Sequence, residues 1–142
     1  MREIKFRGKR LDNGDWVYGD LVRIPHDGGS WGEPPSQELD WHITNSRVLT
    51  HEWVKIDTKT VGQFTGLLDC GGKEIYEGDI VGFEDCTSTE SGYYEQNCIG
   101  VVGWSNETVG FEVSNRLSAD SCDVLNECVV VGNIYENPEL LT

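Results

Sequence analysis

Positive charge is what this chain runs short of. Of its 11 basic and 25 acidic residues, only one base, Arg116, lies beyond Lys73. Nucleic-acid affinity is driven by cations that neutralise phosphate, so the C-terminal half is a poor match for free nucleic acid. Long apolar runs are missing too; no segment approaches the roughly 20 residues that span a bilayer. A basic start (Arg2, Lys5, Arg7, Lys9, Arg10) has no apolar stretch behind it, so no secretory signal is read there. Paired cysteines are also absent. Cys70, Cys86, Cys98, Cys122 and Cys128 are odd in number and contain no C-x-x-C, and His26, His42 and His51 lie far from them. Zinc ligands come in close pairs, so a metal site is disfavoured. Free thiols, buried or half-buried, are the reading, with a single disulfide as the alternative. Catalytic signatures are lacking as well. Gly71-Gly72-Lys73 has neither the spacing of a phosphate loop nor a helix after it, and no serine sits in a nucleophile elbow.

What is present suits a small folded protein. A chain of 142 residues that is 37% hydrophobic and has five tryptophans can bury a core, as one domain or two small lobes. Its net charge of −14 is uneven: the first ten residues carry five bases and one acid. Solubility is the commoner explanation of an acidic surface. The sharper explanation is an acidic face for a basic partner, such as a nucleic-acid-binding protein whose substrate it imitates. A soluble protein of the bacterial cytoplasm is expected.

Local patterns read as β-structure. Over residues 4–11 Ile4 and Phe6 alternate with Lys5, Arg7 and Lys9, as in a half-buried strand with its cations outward. Asp12-Asn13-Gly14-Asp15 is a hairpin turn, and residues 16–24 return as the second strand. Residues 25–37, with three prolines and three glycines, read as a loop. Trp31 within it either marks a contact surface or folds back over the core. Short strands are expected over 41–49 and 53–56, then 61–68, a glycine turn over 69–73, a return over 74–76 and a turn at 77–79. Residues 80–83 enter a further strand, and the acidic, serine-rich stretch 84–96 reads as a mobile loop. Strands over 99–104 and 109–113 follow, then one short helix within 118–126. Residues 129–134 form a strand apolar enough to be buried on both faces, and Asn137-Pro138-Glu139 is a helix start.

Three segments carry a family resemblance: Met1-Arg-Glu-Ile-Lys-Phe-Arg-Gly8, Asp57-Thr-Lys-Thr-Val-Gly-Gln-Phe-Thr-Gly-Leu-Leu-Asp-Cys-Gly-Gly-Lys-Glu-Ile-Tyr-Glu-Gly-Asp-Ile-Val81, and Val131-Gly-Asn-Ile-Tyr-Glu-Asn-Pro-Glu-Leu-Leu141. Together they resemble the YopX family of small phage and prophage proteins. The resemblance implies a phage- or prophage-encoded protein and makes a homo-oligomer plausible; it supplies no catalytic residue and no cofactor. Gly78-Asp79-Ile80-Val81 is also similar to strand entries of SH3-like barrels. The expected architecture is mainly β: an N-terminal hairpin lobe, residues 1–56, and a small SH3-like barrel lobe, residues 57–142, with one or two short helices.

Two functional classes follow. The first is a noncatalytic interaction module that binds a host or phage macromolecule and self-associates by docking its basic hairpin on the acidic lobe of another subunit. Candidate contact residues are Arg7, Lys9, Arg10, Trp31, Glu77, Asp79, Glu84 and Asp85; no cofactor and no membrane partner are expected. The alternative is a metal-dependent hydrolase of a nucleotide or sugar, which requires two or more of Glu74, Glu77, Asp79, Glu84 and Asp85 to converge in a cleft. Binding of nucleic acid by Lys5, Arg7, Lys9, Arg10 and Trp16 is disfavoured by the acidic remainder.

Overall fold

Alternating sequence becomes antiparallel sheet throughout the computed structural model, in which residues 1–25, 39–44, 52–116 and 124–142 are described. The chain is mainly β. Its contacts divide it into two units, residues 3–63 with Met1, and residues 64–142 with Arg2. The division falls inside one strand.

In the first unit, β1 (Phe6–Arg10) pairs with β2 (Trp16–Pro25) through the expected turn. The Arg10 carbonyl accepts from Gly14 N–H, Asn13 Oδ1 accepts from Asp15 N–H, and Gly14 takes φ 74°. β2 pairs with β3 (Leu39–Thr44), and β3 with β4 (Trp53–Leu68), which returns to pair with β1. The pairings therefore form a closed cycle around Ile43 and Ile56, both 2% exposed. β4 is one strand of 16 residues, where two, over 53–56 and 61–68, were expected. The intervening Asp57-Thr-Lys-Thr60 is a bulge opposite the step from Arg7 to Lys9. Thr60 Oγ1 accepts from Lys9 N–H at 2.8 Å and donates to the Asp57 carbonyl at 2.7 Å, so the unpaired stretch satisfies itself.

In the second unit, the end of β4 pairs with β5 (Glu74–Tyr76). A four-stranded antiparallel sheet follows in the order β8-β7-β6-β9. Its strands are β6 (Asp79–Thr89), β7 (Gly92–Ser105), β8 (Gly110–Val113) and β9 (Val129–Asn133). Ile75, Val81, Phe83, Val102, Val113 and Cys128 form the core with Val124 and Leu125 of α1 (Val124–Glu127). This short helix overlaps the end of the window 118–126 in which one was expected; residues 117–123 lie outside the described residues.

Three further expectations change. Residues 84–96 are not a loop: β6 and β7 stay in register from Ile80↔Val101 to Thr89↔Gly92, a long hairpin closed by Glu90 and Ser91. β9 is not buried on both faces, since Val129 and Val131 are 48% and 47% exposed. Among the described residues it is an edge strand, bordered by β6 alone. Pro138–Leu141 is a 3₁₀ turn whose first residue follows Asn137, but Asn137 does not cap it. Asn137 Oδ1 reaches back to accept from Asn133 N–H instead.

Candidate functional site

The basic strand is less available than alternation implies. Arg7, expected to face outward, is buried at 6% exposure, with its guanidinium 4.7 Å from the centre of the Trp16 ring. The bulge in β4 opposite it shifts the register, and the aromatic face gives the cation a partner away from water. Lys9 lies over the same ring at 5.3 Å. Arg10 grips Asp12 with two nitrogens, at 2.8 and 2.6 Å, and this pairing holds the Asp12 carboxyl below the usual range. Lys5 is within 3.9 Å of Glu3. The cations that were to dock on an acidic lobe thus have partners inside their own unit. Trp31 lies outside the described residues. Beside Arg10, an open cleft of about 390 Å³ is bordered by Leu11, Glu52 and Trp53. Its two cations, Arg10 and Lys55, are already paired with Asp12 and Asp40.

The clustered carboxylates separate into different tasks. Asp79, expected at a contact surface, is 1% exposed, and its Oδ2 accepts from Tyr76 N–H at 2.8 Å. It closes the turn through Gly78, which is why it faces inward. Asp85 is 4% exposed, because it shares the inward parity of Val81 and Phe83, and its Oδ1 accepts from Cys86 N–H. Glu74 Oε2 accepts from the Tyr76 hydroxyl. Glu77 is half-buried and Glu84 exposed. Among the described residues, no three His, Cys, Asp or Glu side chains are grouped to hold a metal ion.

Comparison with known proteins gives the frame for these observations. The family described as YopX protein matches residues 5–142. The chain belongs to the YopX family. A crystal structure of protein EF1440 from Enterococcus faecalis is similar over 100% of both chains, with a TM-score of 0.55 and 22% identity. At that identity the likeness concerns fold alone. No curated protein matches.

In this YopX protein the segments that carry the resemblance are fastenings. Asp69 is 8% exposed, and its carboxylate accepts three backbone N–H groups: Gly71 and Lys73 on Oδ1 and Val130 on Oδ2, at 2.9, 2.9 and 3.0 Å. Those donors, Val130 first, hold its carboxyl below the ordinary value. Gly78, at φ 84°, donates to the Val102 carbonyl and accepts from Ile134 N–H, with the Tyr135 ring 3.1 Å from where a Cβ would stand. Asn133 Oδ1 accepts from the N–H groups of Tyr135 and Glu136.

Sequence reasoning missed the surface that remains. On the β6–β7 hairpin, Val81, Phe83 and Asp85 face the core; Gly82, Glu84 and Cys86 face away. Ile99 pairs with Gly82 and is 42% exposed, and Tyr93 near the tip is 63% exposed. The Cys86 side chain beside the Tyr93 phenol pushes its pKa up to about 12, with Glu95 and Glu84 adding to the effect. All four therefore share one face. Residues 92–101 carry no period-two alternation of polar and apolar residues, so no local signal marked this strand.

Proposed function

We propose that this YopX protein is a noncatalytic interaction module, phage- or prophage-encoded, that binds a macromolecule of its bacterial host or phage through the acidic second unit. The supporting observation is that residues 74–115 contain no lysine or arginine and include the β6–β7 hairpin, whose outer part carries Glu84, Glu90 and Glu95 exposed. Charge of one sign accelerates encounter with a basic partner and repels nucleic acid. Self-association through the basic strand is the less favoured form, because Arg7, Lys9 and Arg10 would have to leave partners they already have. The hydrolase alternative is less favoured because Asp79 and Asp85 are engaged by backbone amides. The test is affinity capture from bacterial lysate at low and high salt, followed by titration of the purified captured protein. Binding that weakens with salt is expected. Turnover of a nucleotide or sugar with a divalent ion, reduced in Glu74→Gln, would establish the alternative.

A further inference from the structure

The outward face of the second sheet has an order that charge alone does not explain. At its base, Val129 and Val131 of β9 flank Gly82, and Ile99 flanks it from β7; the three side chains are 42–48% exposed. The ideal Cβ position of Gly82 is 3.7 Å from Val131, so the missing side chain leaves a shallow apolar floor across three strands. Along the ribbon, Glu84 lies two residues beyond Gly82, Glu95 faces Cys86 two residues farther, and Tyr93 faces Ser88 after another two. With a strand rise of about 3.3 Å per residue, these positions lie about 7, 13 and 20 Å from the apolar floor.

The free edge of β6 is a weaker candidate. β9 stops pairing at Gly82, but Asp85 Oδ1 takes the Cys86 N–H that an added strand would need. The face carries no such block. Resting on the interaction reading above, we infer that this face docks a cationic amphipathic helix of a partner protein, with apolar side chains on the Val129–Ile99 floor and basic ones on Glu84 and Glu95.

Three considerations select that occupant. A helix rises about 1.5 Å per residue, so cations four and eight residues from an apolar anchor lie about 6 and 12 Å away, matching both carboxylates. Two strands side by side are about 10 Å across, close to the width of a helix with its side chains. A second copy of this chain would bring another net charge of −14 to a face whose own strands, β6, β7 and β9, contain no lysine or arginine. Tyr93 adds a stacking position for arginine at the far end.

The test uses a fluorescein-labelled, alanine-rich helical peptide with two leucines in its first turn and arginines four and eight residues on. An isomer with the same composition carries the arginines on the opposite face. The expected result is tighter binding of the first peptide. Glu84→Gln with Glu95→Gln should reduce its affinity roughly tenfold at low salt. Val129→Ser with Ile99→Ser should abolish the preference between isomers, whereas Glu107→Gln with Glu139→Gln should leave it intact. Equal binding of both isomers, or equal loss in the control variant, overturns this docking face while leaving a diffuse acidic module standing. Failure of both peptides to bind also overturns the face; salt-sensitive capture of a purified partner would then still support the broader reading. A dimer strengthened by Glu84→Gln with Glu95→Gln would assign the face to a second copy and overturn the inference.

Discussion

Replacing Asp69 should loosen the second unit more than any exposed acidic substitution. Gly71 and Lys73 sit on an exposed turn, where water can largely replace the lost acceptor, whereas Val130 lies in β9 and is half-buried. A hydrogen bond to a charged acceptor contributes about 1.5–3 kcal/mol, and a stranded buried donor costs a similar amount. Counting Val130 nearly in full and the turn amides at a fraction, Asp69→Ala should cost about 3 kcal/mol. Asp69→Asn keeps one acceptor oxygen but turns an NH₂ toward either the turn or Val130, so about 2 kcal/mol is expected.

The pH dependence fixes the mechanism. The folded pKa of Asp69 is depressed, so its contribution is fully present above the unfolded value of about 3.9 and disappears as pH falls through the folded one. Urea unfolding of wild type and Asp69→Ala, with amide exchange read at Val130, should give a gap that is constant near neutrality and shrinks in acid. A gap below about 0.5 kcal/mol at neutral pH would refute the reasoning. So would a gap of undiminished size at pH values below the folded pKa.

Other perturbations test the rest of the frame. Gly132→Ala would place a Cβ 2.6 Å from Asn137 Oδ1, and a loss of about 2 kcal/mol is expected in thermal unfolding; Asn137→Gly in the same chain should recover much of it. Val109 has φ 54° and is 72% exposed, so Val109→Asn should raise stability by about 1 kcal/mol. Arg7→Ala removes a buried stem and its ring contact, and should cost about 2 kcal/mol, while Arg10→Ala should leave the unfolding temperature unchanged. In thiol labelling, Cys70 and Cys86 should react quickly and Cys98 and Cys128 only on unfolding, since burial raises both thiols, Cys128 to about 11.

The β character, the first hairpin and the turn at 69–73 were legible because each is written locally: alternation, Asn-Gly, and a pair of glycines after aspartate. What failed was the reading of residues whose role depends on distant strands. Arg7 reads as an outward cation until the register shift against β4 places it under Trp16. Val129-Val-Val reads as a doubly buried strand until its position at the sheet edge leaves two of the three valines exposed. Polar residues 84–97 read as a loop because strand propensity there is weak; cross-strand pairing supplies what composition does not.

That division bears on function. Asp69, Gly78, Asn133 and Asn137 carry the family resemblance, and each is held by backbone contacts that join strand ends and turns. Residues bound in this way are poor candidates for partner contact, because removing them alters the scaffold before it alters any surface. Recognition then falls to positions the scaffold leaves open, and the outer face of β6, β7 and β9 is one that combines exposed apolar side chains with exposed acidic ones. A fold can be common to many chains while such a face is free to change. Substitutions at Val129, Ile99, Glu84 and Glu95 should therefore change binding with little effect on unfolding. Substitutions at Asp69 and Gly132 should reduce binding only in proportion to the fraction unfolded. An Asp69 variant that stays fully folded yet loses its partner would move the site into the fastenings and reverse this assignment.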